Sequence, residues 1–359
     1  MRNKAISLLQ ELTEAHSVPG FEDEVRAIFI NELEDCGELS SDGLGSVFCE
    51  TGIDSPRVMV AGHMDEVGFM VQNITHDGFL QFVALGGWWE HSLLSQRVEV
   101  LTRDEKKILG VVASRPPHFL PQAQRSQIIP IDQMFIDVGA SSREEAEKGF
   151  GIRIGDPIAP VSAFTEMARE DYYMAKAFDN RVGMAAVIQC GQILRGSSHP
   201  NRLVLAGTVM EEVGLRGAKT AATMARPDVA IILEGPPADD TPGFSRYDSQ
   251  GALGRGVQVR AFDPTAIANP RLVRFAIDVA KEEGIRHQVT VRRTGGTDAG
   301  SIHLSGHGVP TIVLGVPARY IHSHNAIIDL EDYLSMVALT NALVRRLDHN
   351  TVTGLTTFI

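Results

Sequence analysis

The apolar positions of this chain change their rhythm twice. Over residues 3–16 they recur at helical spacing through Ile6, Leu9 and Leu12, and over 22–35 through Val25, Ile28, Phe29 and Leu33. Two short helices follow, separated by the turn Pro19-Gly20. The stretch 57–61 reads as a buried strand. From about 71 to 165 helical periodicity is scarce. Period-two alternation at 97–102 and 134–138, punctuated by glycine and proline, predicts a β-rich module, and four prolines within 114–130 mark an exposed loop. Beyond 165 the rhythm alternates again, with strands at 203–209, 229–233, 256–262 and 311–315 and amphipathic helices at 181–194, 270–283 and 331–347. Such alternation predicts an α/β fold, a mostly parallel sheet flanked by helices. Its domain would comprise residues 1–70 and 166–359, interrupted by an inserted β-rich domain at 71–165.

Composition narrows the class. A length of 359 residues suits about two domains. The net charge of -12 argues against a nucleic-acid partner, since neutralising phosphates needs basic patches. Small anionic substrates stay open, because the field at a site can differ from the net charge. Cys36, Cys49 and Cys190 are scattered, with no CxxC pair, so neither a disulfide framework nor a cysteine zinc site is indicated. The first twenty residues lack a signal peptide's apolar core, and no run approaches a membrane span. The expected location is the cytoplasm.

The chemistry is expected where strands end. In open α/β sheets ligands bind beyond the carboxyl ends of the strands. The run 58–62 is followed by His63 and Asp65, the run 203–210 by Glu211 and Glu212, and the run 229–233 by Glu234. The run 311–315 leads to His322, and Asp179 opens a predicted helix. Adjacent carboxylates at the mouth of a buried strand are costly unless a cation partners them. Each residue also has an ordinary reading. His63 could be structural, Asp179 a helix cap (a task Asn180 could equally do), and Glu234 a surface charge. Only one histidine of the pair His322 and His324 is expected to serve. Together the set offers nitrogen and oxygen donors without sulfur, suited to zinc, cobalt or manganese. It is too large for one tetrahedral ion with an open position and suits two ions sharing a carboxylate, typically ~3.5–4 Å apart. Other features read more plainly. The turn GGTDAG at 295–300 lacks a Walker lysine, Ser301 sits in no nucleophile elbow, and Trp88-Trp89 suits packing or a subunit contact.

These segments resemble the di-metal aminopeptidase family that includes glutamyl and deblocking aminopeptidases, whose members assemble into tetrahedral dodecamers. The resemblance rests on AGHMDEVGFMV at 61–71, AKAFDNRVG at 175–183, VMEEVGLRGAKTAA at 209–222, DDTPG at 239–243, GGTDAG at 295–300 and RYIHSH at 319–324. Within the insertion it rests on RPPH at 115–118 and on residues 135–158. It implies two divalent ions, His63 and Glu234 on one, His322 and Glu212 on the other, and Asp179 bridging them. Glu211 would be the general base and Asp65 would orient His63. The Asp179-Asn180 bond is expected to be cis. Many relatives carry aspartate where this chain has Glu234, so that ligand departs from the pattern. The resemblance also implies a homo-oligomer, dimers building a dodecamer, with the β-rich insertion mediating the contacts.

The expected activity is metal-dependent removal of the first residue from short peptides. A related N-acyl amino-acid deacylase or carboxypeptidase would use similar ligands. A glycosidase acting through paired carboxylates would not need two converging histidines. A structural metal site would not need Glu211.

Overall fold

The computed structural model describes residues 2–245 and 247–359. Its centre is a nine-stranded mixed sheet. Four adjacent strands, Arg202–Thr208, Arg57–His63, Val229–Glu234 and Thr311–Gly315, run parallel, so their carboxyl ends share one edge. The register places Thr208 beside His63 and Glu234 beside Gly315. These strands read as unbroken apolar runs because both faces are covered. One face buries against helices Arg2–Glu14, Asp23–Leu33, Phe178–Leu194, Pro270–Glu282 and Leu330–Val344, and the other against Arg216–Ala225 and Ala299–Ile302. Among the described residues no helix is long and apolar enough to cross a membrane.

The flanks of the sheet depart from parallel order. Glu38–Ser41 and Val47–Gly52 form an antiparallel hairpin beside Arg202–Thr208, and Val257–Asp263 runs antiparallel to Thr311–Gly315. Alternation of helix and strand does not set the direction of an edge strand, so the sequence pattern was silent on both. Helix Arg216–Ala225 was also missed. It turns Ala218, Ala221, Ala222 and Ala225 to the sheet, and alanine gives little hydropathic contrast.

Six strands from Gly68–Ile74 to Pro157–Pro160 close into a barrel with its own core, including Phe69, Val98, Val100, Val112 and Ile136. Trp88 stacks on Phe69 at 4.7 Å and donates its indole N–H to the Gly68 carbonyl. Trp89 beside it is exposed. The proline-rich stretch 114–130 carries only two short 3-10 turns.

The helix Phe178–Leu194 is apolar on nearly every side and is sunk into the structure. It lies so close to the sheet that a Cβ at Gly183 would overlap the Leu233 carbonyl oxygen. Its first turn therefore reaches the carboxyl edge shared by the four parallel strands.

Candidate metal centre and active site

Six of the seven expected side chains converge at that edge. His63 ends its strand and is 1% exposed. Its Nε2 lies 3.3 Å from Asp179 Oδ1, 3.7 Å from Glu234 Oε2 and 3.9 Å from Glu211 Oε2. His322 Nε2 lies 3.5 Å from Asp179 Oδ2 and 3.4 Å from Glu212 Oε2. Asp179 thus presents one oxygen to each imidazole. Asn180 frees it to do so. The Asn180 side chain accepts from the Gly183 amide at 3.0 Å and donates to the Leu233 carbonyl, which makes Asn180 the helix cap. The Asp179-Asn180 peptide bond is cis, as expected.

Each imidazole is oriented by its other nitrogen. Nδ1 of His63 is 3.0 Å from the Asp65 carbonyl oxygen, and Nδ1 of His322 is 2.8 Å from the Gly87 carbonyl oxygen. A carbonyl only accepts, so Nδ1 carries the hydrogen and Nε2 turns its lone pair inward in the neutral ring. Asp65 does more than face His63. Its carboxylate is 3.4 Å from Nδ1, while its two oxygens accept the amides of Glu211 and Glu212, each at 3.0 Å.

The cluster holds more buried acid than buried base. Burial pushes Glu212 up to about 8, with the His322 charge pulling the other way. Burial likewise raises Glu211 and Glu234 well above the carboxylate range, against the pull of His63. Burial alone would depress the histidines. The surrounding carboxylates reverse this, led by Glu211 for His63 and by Asp179 for His322, which rises to about 9. Bonds from both imidazoles keep Asp179 low despite its burial. Buried Oε1 atoms of Glu212 and Glu234 have no hydrogen-bond partner among the described residues. A surplus of buried acid, orphaned carboxylate oxygens and inward lone pairs all fit divalent cations. Two triads, His63-Glu211-Glu234 and His63-Asp179-Glu212, bring their ligand atoms within 4.8 Å of one another.

Other residues take the plainer places that their sequence readings gave them. His324, two residues beyond His322, is buried against Trp88 at 5.6 Å, away from the acids. His303 turns its ring nitrogen to the Ala299 carbonyl, and Ser301 contacts the Leu215 carbonyl, so they form no catalytic pair. The glycine-rich turn 294–297 lines a cleft of about 360 Å³ together with the site residues, Arg260 and Arg292.

Three supports were not foreseen. Glu66 is buried, and its Oε1 accepts from Lys176 at 2.5 Å and Arg181 at 3.1 Å. These cations flank Asp179 in the chain, so one carboxylate holds both sides of its turn. Asp298 accepts from Thr208 at 2.5 Å beneath the strand ends. Glu22 bonds the Met210 amide at 3.1 Å. The motif AKAFDNR hinted at the first, since two cations bracket the aspartate, but their common partner lies over a hundred residues away.

Comparisons with known proteins identify the family and the fold. The M42 glutamyl aminopeptidase family matches residues 45–339. A glutamyl aminopeptidase of Lactococcus lactis is 38% identical over 95% of this chain and 96% of its own length. The crystal structure of a TET aminopeptidase from a marine-sediment thaumarchaeon superposes with a TM-score of 0.95 at 42% identity, covering 99% of this chain and 100% of that one. The TET1 peptidase of Pyrococcus horikoshii, described as assembling into a tetrahedron or a large octahedral shell, is 30% identical with a TM-score of 0.85, covering 96% and 100%. By sequence along most of its length and by fold, the chain belongs to the M42 glutamyl aminopeptidase family and is a peptide-bond hydrolase.

Proposed function

We propose that the chain is a metal-dependent aminopeptidase that removes the N-terminal residue from short peptides. His63 and Glu234 would hold one divalent cation, His322 and Glu212 a second, with Asp179 shared between them. Zinc, cobalt and manganese all accept this donor set. When bound, the cations polarise the scissile carbonyl and acidify water. The protein supplies the rest. Glu211 takes a proton from the attacking water as the new C–O bond forms, then delivers it to the amine as the C–N bond breaks. The acid-rich edge of the cleft suits the protonated α-amine of an unblocked peptide. The observation that carries this reading is the division of Asp179, one oxygen to each inward-facing imidazole.

The reading extends to assembly and location. The barrel is the proposed surface through which copies associate, supported by the shells described for the Pyrococcus horikoshii relative. A reducing cytoplasm suits three buried free cysteines.

The test is Glu211→Gln. It should retain both metals and lose turnover by about a thousandfold, the size expected when an essential proton-transfer group is removed. Near wild-type kcat would refute the assignment of the base. Chelation should abolish release of the first residue, and zinc, cobalt or manganese should restore it. Preference for N-acetylated over free-amine substrates would point instead to a deacylase. Glucan hydrolysis that survives chelation would point to a glycosidase.

A further inference from the structure

Three consecutive amides, those of Met210, Glu211 and Glu212, carry the general-base turn. Each is held by a carboxylate from a remote part of the chain. Asp65 takes the second and third, and Glu22 takes the first. Glu22 is 2% exposed and occupies the N-cap position of helix Asp23–Leu33, yet its side chain caps nothing in that helix. Its Oε1 instead accepts from Gly20 at 2.8 Å and from Met210 at 3.1 Å. Ordinarily an N-cap acid spends its oxygen on its own first turn. Here that oxygen is diverted across the fold to a residue 188 positions away.

The turn needs such holding. Met210 and Leu215 both adopt left-handed backbone angles, φ 55° each, and the turn follows directly on a buried strand. The carbonyls of Met210 and Glu211 are taken by the amides of Arg216, Gly214 and Leu215, so its outer edge is fixed locally. The inner edge depends on Glu22 and Asp65. The same N-terminal segment grips the neighbouring catalytic loop, since Ser17 accepts the Glu66 amide on its carbonyl and donates its hydroxyl to the Met64 carbonyl. Burying Glu22 beside Asp65 is unfavourable, and its pKa rises to about 7 from burial first and the Asp65 charge second. Amide donors offset such a cost.

We infer that Glu22 is a positioning residue for catalysis, holding the Met210 amide so that Glu211 keeps its proton-transfer geometry over the cleft. This rests on Glu211 being the base. Glu22 touches neither substrate nor ligand atoms and acts only through the turn. Oxygen Oε1 takes both amide bonds, so a neutral amide carbonyl at the same place can do the same work.

The test compares Glu22→Ala, Glu22→Gln and Glu211→Gln in cobalt-loaded enzyme with an aminoacyl chromogenic substrate. Cobalt stoichiometry and the cobalt absorption spectrum are read alongside. Glu22→Ala should lose about tenfold in kcat with KM changed by less than about twofold, the signature of a displaced catalytic group rather than lost binding. Its cobalt content should equal wild type. Glu22→Gln should recover most of the kcat. Wild-type kcat in Glu22→Ala would overturn the inference, as would Glu22→Gln being equally slow. A fall in kcat that tracks lost cobalt would also overturn it. Should Glu22→Ala fail to fold, Glu22→Asp takes its place, one methylene too short to reach Met210, with the same expected loss and the same refuting outcomes. If Glu211→Gln retains turnover, the base assignment itself falls. If only the Glu22 variants are normal, the base stands and the positioning role falls.

Discussion

His63 and His322 face opposite oxygens of Asp179, but different kinds of structure deliver them. His63 is the last residue of a central strand, fixed by parallel pairing on both sides and 1% exposed. His322 stands on a loop, in a left-handed conformation with φ 56°, and its side chain is 35% exposed. Its orienting bond runs to Gly87, in the segment between the barrel strands Leu80–Leu85 and Arg97–Leu101. One half of the centre is therefore set by sheet register. The other is set by contact between the sheet's loops and the barrel segment. Register gives rigidity without access, and the loop gives access at the cost of rigidity.

The largest expected effect separates the halves directly. His63→Ala and His322→Ala should each cost at least about a hundredfold in kcat/KM, the scale of a lost metal-site group. Added imidazole should restore part of the activity of His322→Ala, whose vacated space opens to the cleft, and none to His63→Ala. Equal rescue of both variants would erase the distinction.

A smaller effect concerns protons. In the metal-free protein Glu212 titrates near 8 and His322 near 9, so both are protonated at lower pH. A cation must displace those protons. Apparent metal affinity should rise as pH rises through this range. Calorimetry in buffers of different ionisation enthalpy should detect proton release. A pH-independent affinity without proton release would contradict the acid-rich picture of the open half.

The smallest effect reports on the footing of the buried half. His16 lies at the junction of the N-terminal segment and the barrel. Burial first, then Lys176, Lys107 and Arg181, lower its pKa to about 3. The folded protein keeps it neutral, while the unfolded chain binds a proton below about 6.5. Its contribution to stability is present above that pH and declines as pH falls toward 3. Between pH 7.5 and 5.5 the loss should be about 1 kcal/mol. Urea unfolding of metal-stripped protein measures it, and His16→Leu should flatten the slope. An unchanged slope in that variant would assign the acid sensitivity elsewhere.

Much of the site was legible because parallel strands bring their last residues to a common edge. His63, Glu211, Glu212 and Glu234 could be read as strand-end residues from hydropathy alone. Asp179 and His322 entered the set less directly, at a helix start and several residues past a strand, and the separate roles of all seven residues came with the family motifs. Glu22 and Glu66 were not legible, since their importance lies in partners between 110 and 188 residues away. Asp65 was anticipated as a partner of His63, but its bonds to two amides depend on the path of a turn that hydropathy does not describe. The barrel's presence showed as lost helical rhythm, whereas its closure depends on which strands pair, and the alternation of residues leaves that open.

The grip of Glu66 on Lys176 and Arg181 carries a consequence for sequence drift. Only four residues, 177–180, separate the two cations, and one oxygen atom receives both. That interval works as a molecular ruler. A single insertion there would leave a fully enclosed guanidinium or ammonium stranded, whereas the stretch 114–130 is mostly exposed. Among descendants of this gene, length variation should therefore gather far from position 179, even where the identities of its neighbours drift.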